Sequence, residues 1–249
     1  MISKIAQRKE AFVWIWLPGE TEPVVAGRIA QSEDSYIFNY GTSYLERENA
    51  IPIYEPELPL RRGLIEPTAG LSMMARYASY EELAEIIRHR FTEPKETLRE
   101  LYARICCSIL CGNTDDHARN HAAFWDGKML TLTPAYDICP QGRTDNEATQ
   151  AMLIKGNARS STIAICLAAA PDYHLKEAEA AALIEAQIAT ISERWQSVCD
   201  EAELSPVDRK LFAGRQFLNP FCLEGLNGYK GLQDSFVSAR DTLIAGSVA

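Results

Sequence analysis

One periodic stretch restricts the fold more than any other. After Thr92-Glu93-Pro94, the apolar residues Leu98, Leu101, Tyr102, Ile105, Ile109 and Leu110 recur at helical spacing until Gly112-Asn113 ends the run. Proline in the first turn and glycine beyond the last are the end signals of a helix with one buried face. A polar segment follows at once, Asn113-Thr114-Asp115-Asp116-His117-Ala118-Arg119-Asn120. Two short apolar runs come next, Ala122-Ala123-Phe124-Trp125 and Met129-Leu130-Thr131-Leu132, separated by Asp126-Gly127-Lys128. That separator is hairpin chemistry, because glycine tolerates positive φ. A hairpin sends the chain back toward its start, so Asp137, in Leu132-Thr133-Pro134-Ala135-Tyr136-Asp137, returns beside Asn120.

Phosphoryl transfer from a nucleotide needs a carboxylate to orient the attacking hydroxyl, with an amide oxygen and a second carboxylate to hold magnesium against the phosphates. Asp115, Asn120 and Asp137 are those groups in that order. Protein-kinase catalytic loops, H-R-D-x-x-x-x-N, separate base and metal-binding asparagine by the same interval as Asp115 and Asn120. The usual His-Arg lead-in is replaced by Asn113-Thr114. A rival reading takes Asp115, His117 and His121 as a hydrolytic metal site, since histidine and carboxylate are proper ligands. It leaves Asn120 and Asp137 without roles. Taken alone, Asp115-Asp116-His117 is also compatible with a plain polar loop after a helix end.

The sequence G-N-T-D-D-H-A-R-N-H followed by L-T-P-A-Y-D-I closely resembles the catalytic core of the HipA-type serine/threonine kinases, toxins of bacterial type II toxin-antitoxin pairs. The resemblance implies that Asp115 is the catalytic base, that Asn120 and Asp137 are magnesium ligands, and that His117 braces the loop at the nucleotide site. It implies ATP and Mg2+ as cofactors and a HipB-like helix-turn-helix antitoxin as partner. It also implies a protein Ser/Thr substrate, which for family members includes aminoacyl-tRNA synthetases. By the same resemblance, residues 11–60 form the family's small N-terminal β subdomain, 61–71 a linker, and 72–249 the helical C-terminal domain.

One family part is missing from the pattern. The chain passes from the first subdomain to the helical body in about ten residues, far fewer than a nucleotide-binding lobe needs. No G-x-x-x-x-G-K-[ST] precedes Asp115, and the upstream lysines are Lys4, Lys9 and Lys95 alone. Lys155, in Ile154-Lys155-Gly156-Asn157, falls after the metal aspartate. Two readings follow: an ATP-dependent protein kinase, or a catalytically inactive, internally truncated pseudokinase that binds partners.

The rest of the chain reads as α+β, a small antiparallel sheet joined to a mainly helical body. Phe12 to Leu17, Val24 to Ile29 and Tyr36 to Tyr40 are β-rich runs bounded by turn residues. Their tryptophans and tyrosines are expected to form the core of that sheet. From Ser72 the pattern is helical, with a capping box at Ser79-Tyr80-Glu81-Glu82. Gln141 to Gln150 reads as a flexible loop, Ser160-Ser161-Thr162 as a helix start, and about Leu175 to Cys199 as the longest helix, with Leu183, Ile184, Ile188, Ile191, Trp195 and Val198 on its apolar side. Ser205-Pro206 opens another helix, to Phe217, and Gln233 to Leu243 a last one.

A net charge of -9 and a pI near 5.1 argue against a general nucleic-acid surface. No apolar run reaches the roughly 18–20 residues of a membrane span, and the N-terminus lacks a signal-peptide apolar stretch, so the expected location is the cytoplasm. Seven cysteines without C-x-x-C spacing read as small buried hydrophobes.

Overall fold

Three strands, β1 (Glu10–Ile15), β2 (Val24–Ser32) and β3 (Ser35–Tyr40), pair antiparallel in the order β1-β2-β3. They belong to a computed structural model that describes residues 10–32, 35–53, 58–66, 78–142 and 147–247. The chain divides into two compact units, Met1–Ser72 with Ala123–Thr131, and Met73–Ala122 with Leu132–Ala249. The architecture is α+β, the class expected from sequence, with seven α-helices among the described residues.

In the first unit, side chains alternate across the sheet, and among the described residues one face carries the buried cluster. Leu17, Ala26, Phe38, Tyr40, Tyr44 and Ile65 are buried together, with Val13 and Ile15 packed against them. The Tyr40 ring meets Phe38 edge-on and stacks on Tyr44, the latter in the short helix α1 (Thr42–Leu45). The expected aromatic core is therefore only half right. Phe12, Trp14, Trp16 and Tyr36 are 56 to 69% exposed. With Val13 and Ile15 turned inward, period-two alternation sends Phe12, Trp14 and Trp16 to the uncovered face.

A short hairpin of β4 (Ala123–Trp125) and β5 (Leu130–Leu132) forms as its turn chemistry predicts. Gly127 has φ +100°, and the Asp126 carboxylate accepts from the amides of Lys128 at 2.8 Å and Met129 at 2.7 Å. Those backbone bonds, Met129 first, hold the Asp126 carboxyl below its usual range. The Trp125 indole donates to the Pro52 carbonyl at 2.6 Å, fixing the hairpin within the first unit.

The second unit is helical. Its helices are α2 (Tyr80–Arg90), α3 (Pro94–Cys111), α4 (Ile163–Ala169), α5 (Glu177–Glu201), α6 (Pro206–Phe212) and α7 (Lys230–Gly246). The Ser79–Glu82 capping box is present in both directions. Residues 72–77, read as helical from sequence, lie outside the described residues.

Helix α3 buries all six apolar residues that defined its period, together with Cys106 and Cys111. Along α5, Ile184, Ile188 and Trp195 are buried, while Val198 is exposed and Cys199 takes the inward position. Helix α6 ends at Phe212, earlier than expected, where Ala213 leaves the helical region and bridges to Phe217. The segment after Asp137 is more tightly held than a flexible loop at its far end. Gln150 is buried, its amide donates to the Arg159 carbonyl at 2.7 Å, and Thr149 bridges Ser160.

Candidate active site

Helix α3 delivers the polar loop. Gly112 takes the left-handed conformation, φ +76°, and the Asn113 amide reaches back to the Ser108 carbonyl at 2.8 Å, a Schellman closure. A Cβ at Gly112 would lie 2.7 Å from the Gln216 carbonyl oxygen, so only glycine fits the approach. Distant residues then occupy the carbonyls around this end. Ile109 O accepts from the Cys222 thiol at 3.5 Å, Leu110 O from the Leu218 amide at 2.8 Å, Gly112 O from the Gln141 amide at 3.0 Å, and Thr114 O from the Ala151 amide at 3.1 Å.

Within the loop, residues Ala118–Asn120 form a 3-10 turn in which the Asn120 amide donates to the His117 carbonyl at 2.8 Å. The buried Asn120 side chain donates through Nδ2 to the Asp115 carbonyl at 3.4 Å. Backbone and side chain of Asn120 thus close the six-residue arc that begins at Asp115. Asp115 is exposed. His117 contributes to the brace through its carbonyl, and its ring Nδ1 is buried without a partner.

Asp137 is exposed and carries φ +56°, unusual for a residue with a Cβ. Its position is set by its neighbour. The Tyr136 hydroxyl donates to the Arg119 carbonyl at 2.6 Å, so the residue before Asp137 is bonded to the residue before Asn120. Arg104, on α3, ties the same return segment through the Thr133 carbonyl at 2.8 Å.

Sequence reasoning missed the groups beneath the loop. Asp116, next to the exposed Asp115, is buried and accepts from the Tyr80 hydroxyl at 2.5 Å. His121 Nε2 lies 3.3 Å from the other Asp116 oxygen, an electrostatic contact without hydrogen-bond alignment, and the Tyr80 and His121 rings meet edge-on. Burial pushes the Asp116 carboxyl up, yet His121, the Tyr80 hydroxyl and the His117 charge outweigh it and hold the group below the usual carboxylate range. Burial, followed by Asp116, pushes the Tyr80 hydroxyl well up, so it stays a donor. The one available sequence signal was the Asp115-Asp116 doublet, of which a loop can expose one and bury the other.

The three-residue hydrolytic site is not assembled: His121 faces Asp116, and no cluster of three or more His, Cys, Asp or Glu able to hold a metal occurs among the described residues. Lys155 pairs with Asp172 at 2.6 Å and Glu81 at 3.4 Å, which holds it in a surface ion-pair network. No described helix is long and apolar enough to cross a membrane.

No curated protein matches the chain. A chain in the solved complex of the Shewanella oneidensis MR-1 toxin-antitoxin system HipA and HipB with operator DNA is similar at 15% identity and a TM-score of 0.44. The match covers 94% of this chain and 46% of that one, so the chain spans less than half the length of its structural relative. The model of the HipA-like C-terminal domain matches residues 62–195, a span that includes α2, α3, the polar loop, the hairpin and Asp137. Since the match takes in more than half of its residues, the chain belongs to the HipA-like C-terminal domain family.

Proposed function

We propose that this chain carries the phosphotransfer half of a HipA-like serine/threonine protein kinase, the toxin partner in a toxin-antitoxin module. The observation that supports this best is the pair of bonds Asn120 Nδ2 to Asp115 O and Tyr136 Oη to Arg119 O. The first fixes the Asn120 amide so that its oxygen is available as a ligand. The second holds the segment of Asp137 against the same loop.

The donor set suits magnesium. An amide oxygen at Asn120 and a carboxylate at Asp137 are hard oxygen ligands, the kind that would hold Mg2+ together with nucleotide phosphates and water. Bound there, Mg2+ supplies neutralisation of the β- and γ-phosphate charge of ATP. Asp115, exposed and with its carbonyl restrained by Asn120, orients a substrate Ser or Thr hydroxyl and accepts its proton, a role worth about 10²–10⁴ in rate. Family membership supports a HipB-like antitoxin as partner and an aminoacyl-tRNA synthetase as candidate substrate.

A second reading, a catalytically inactive pseudokinase that binds partners, is favoured by the uncovered face of the sheet. Phe12, Trp14 and Trp16 stand exposed on neighbouring outward positions of β1 and the residue after it.

Calorimetry of ATP binding with and without Mg2+, on the wild type and on Asp137→Ala, separates the two. Magnesium-dependent binding that vanishes in the variant supports the kinase reading and justifies a phosphotransfer assay. A folded protein that does not bind millimolar ATP sinks it for this chain alone.

A further inference from the structure

The sequence holds one Asn-Gly dipeptide, Asn227-Gly228, and it falls in the second unit. When glycine follows asparagine, its backbone nitrogen can attack the side-chain amide with no Cβ to hinder the approach. Whether this happens in a folded chain depends on how free the two groups are.

Here both are free. Asn227 and Gly228 are exposed and belong to neither helix nor strand, lying between the 3-10 turn Pro220–Leu223 and α7. Among the described residues, neither the Asn227 side chain nor the Gly228 amide is hydrogen-bonded. Gly228 has φ +86°, and a Cβ built on it would meet nothing within 4 Å, so the space around this peptide is open. The flanking residues are held. Leu226 is buried and its carbonyl accepts from Gln233 Nε2 at 2.6 Å, while the Tyr229 carbonyl accepts from the Gln233 amide at 3.0 Å. The Tyr229 hydroxyl donates to Glu177 at 2.7 Å.

Comparable pairs elsewhere are blocked. In Asp126-Gly127 two amides hold the carboxylate, and a Cβ at Gly127 would lie 2.8 Å from the Ile51 side chain. Asn157 is exposed, but the Ala158 amide behind it donates to the Lys155 carbonyl at 2.9 Å. Asn49 is exposed too, and the Ala50 amide donates to the Arg47 carbonyl at 3.2 Å. Asn219 precedes Pro220, which has no N–H.

We propose that Asn227-Gly228 is a self-modification site, converted through a succinimide to aspartate and isoaspartate. Hydroxide takes the Gly228 amide proton, and the nitrogen attacks Asn227 Cγ. The N–Cγ bond forms, the Cγ–Nδ2 bond breaks, and Nδ2 leaves as ammonia with a proton from water. Water then opens the ring at one of its two carbonyls. Cleavage of N–Cγ leaves an ordinary aspartyl linkage, whereas cleavage of the original peptide bond leaves the chain running through Cγ, one carbon longer. The sum consumes water and releases ammonia; no oxidant, metal or nucleotide enters. Either product puts a carboxylate just before α7, whose first turn has no acidic residue and whose N-cap makes no side-chain bond, and negative charge is favoured at that end of a helix. The isoaspartyl product also lengthens the backbone between Leu226 and Tyr229, the two residues bonded to Gln233. This inference goes beyond the kinase reading and does not rest on it, because no residue of the candidate site takes part.

The test is peptide-level mass spectrometry on the intact, folded chain incubated in mildly alkaline buffer without nucleotide, then digested briefly at mildly acidic pH. The tryptic peptide Gln216–Lys230 should gain about 1 Da at position 227 and resolve into two products, aspartyl and isoaspartyl. Conversion is expected at least tenfold faster than at Asn157 or Asn49, which serve as internal references in the same sample. Gly228→Ala should slow it at least fivefold and Asn227→Gln should abolish it, on samples whose circular dichroism matches the wild type. The proposal is overturned if Asn227 converts no faster than Asn157, if no isoaspartyl product forms, or if Gly228→Ala converts at the wild-type rate. It is also overturned if the folded chain converts less than one-tenth as fast as the chain unfolded in urea, since the fold would then protect the pair. With ATP absent throughout, failure here leaves the calorimetric result on the kinase reading untouched.

Discussion

The Tyr80 hydroxyl donates to Asp116 Oδ2 at 2.5 Å across 36 positions of sequence, joining the first residue of α2 to the loop that presents Asp115. Both groups are buried, so the bond is poorly replaced by water. Tyr80→Phe keeps the ring and leaves the carboxylate short of a donor. The expected loss is about 1–3 kcal/mol, read as a lower urea midpoint at unchanged slope. An unchanged midpoint would remove this bond from the account of the loop.

Asp116 also gives stability a defined pH dependence. Its folded carboxyl lies below the usual range, whereas in the unfolded chain it titrates near about 3.9. Its contribution is therefore whole above that unfolded value and is lost as pH falls through it toward the folded one, because the unfolded chain takes up the proton first. Urea midpoints measured from pH 6 down to pH 3 should show the advantage of wild type over Asp116→Asn shrinking below about pH 4. A constant gap across that range contradicts the assignment.

Asp137 offers a trade of stability against binding. A left-handed backbone costs a residue with a Cβ roughly 1–2 kcal/mol, and glycine avoids that cost while losing about 0.5–1 kcal/mol to unfolded-state entropy. Asp137→Gly should fold with stability equal to wild type or up to about 1 kcal/mol higher, and should lose magnesium-dependent ATP binding. Thermal melting and calorimetry on one sample check both halves.

Gly112→Ala should do the opposite. It adds a Cβ against the Gln216 carbonyl at a position with φ +76°. The expected cost is at least about 2 kcal/mol, or a melting temperature lower by about 4–8 °C for a chain of this size. A variant that melts with wild type would mean that the helix end rearranges freely.

How much of this was legible beforehand depends on the range of the interaction. The Ser79–Glu82 box, the end of α3 at Gly112, the Asp126-Gly127 hairpin and the interval from Asp115 to Asn120 are all set within a few residues, and each is readable from spacing. Asp116 was not, because its partner Tyr80 reaches it only through tertiary packing, as does the contact with His121. Trp14 and Trp16 were misread for a related reason. Alternation assigns them to one face with Phe12, but only packing of Phe38, Tyr40 and Ile65 on Val13 and Ile15 decides which face is covered. Gln150 followed the same rule, since a polar run gives no sign that its last side chain is enclosed.

The carbonyls around the end of α3 have a consequence for synthesis. Ile109, Leu110, Gly112 and Thr114 are completed by Cys222, Leu218, Gln141 and Ala151, all of which leave the ribosome after the loop itself. At about 5–20 residues per second, the stretch from Asn113 to Cys222 takes on the order of 5–20 s to emerge. Throughout that interval the nascent loop lacks the anchors that set its shape. An unfinished chain therefore has the motif but not its geometry, which delays any activity of the loop until synthesis has passed Cys222.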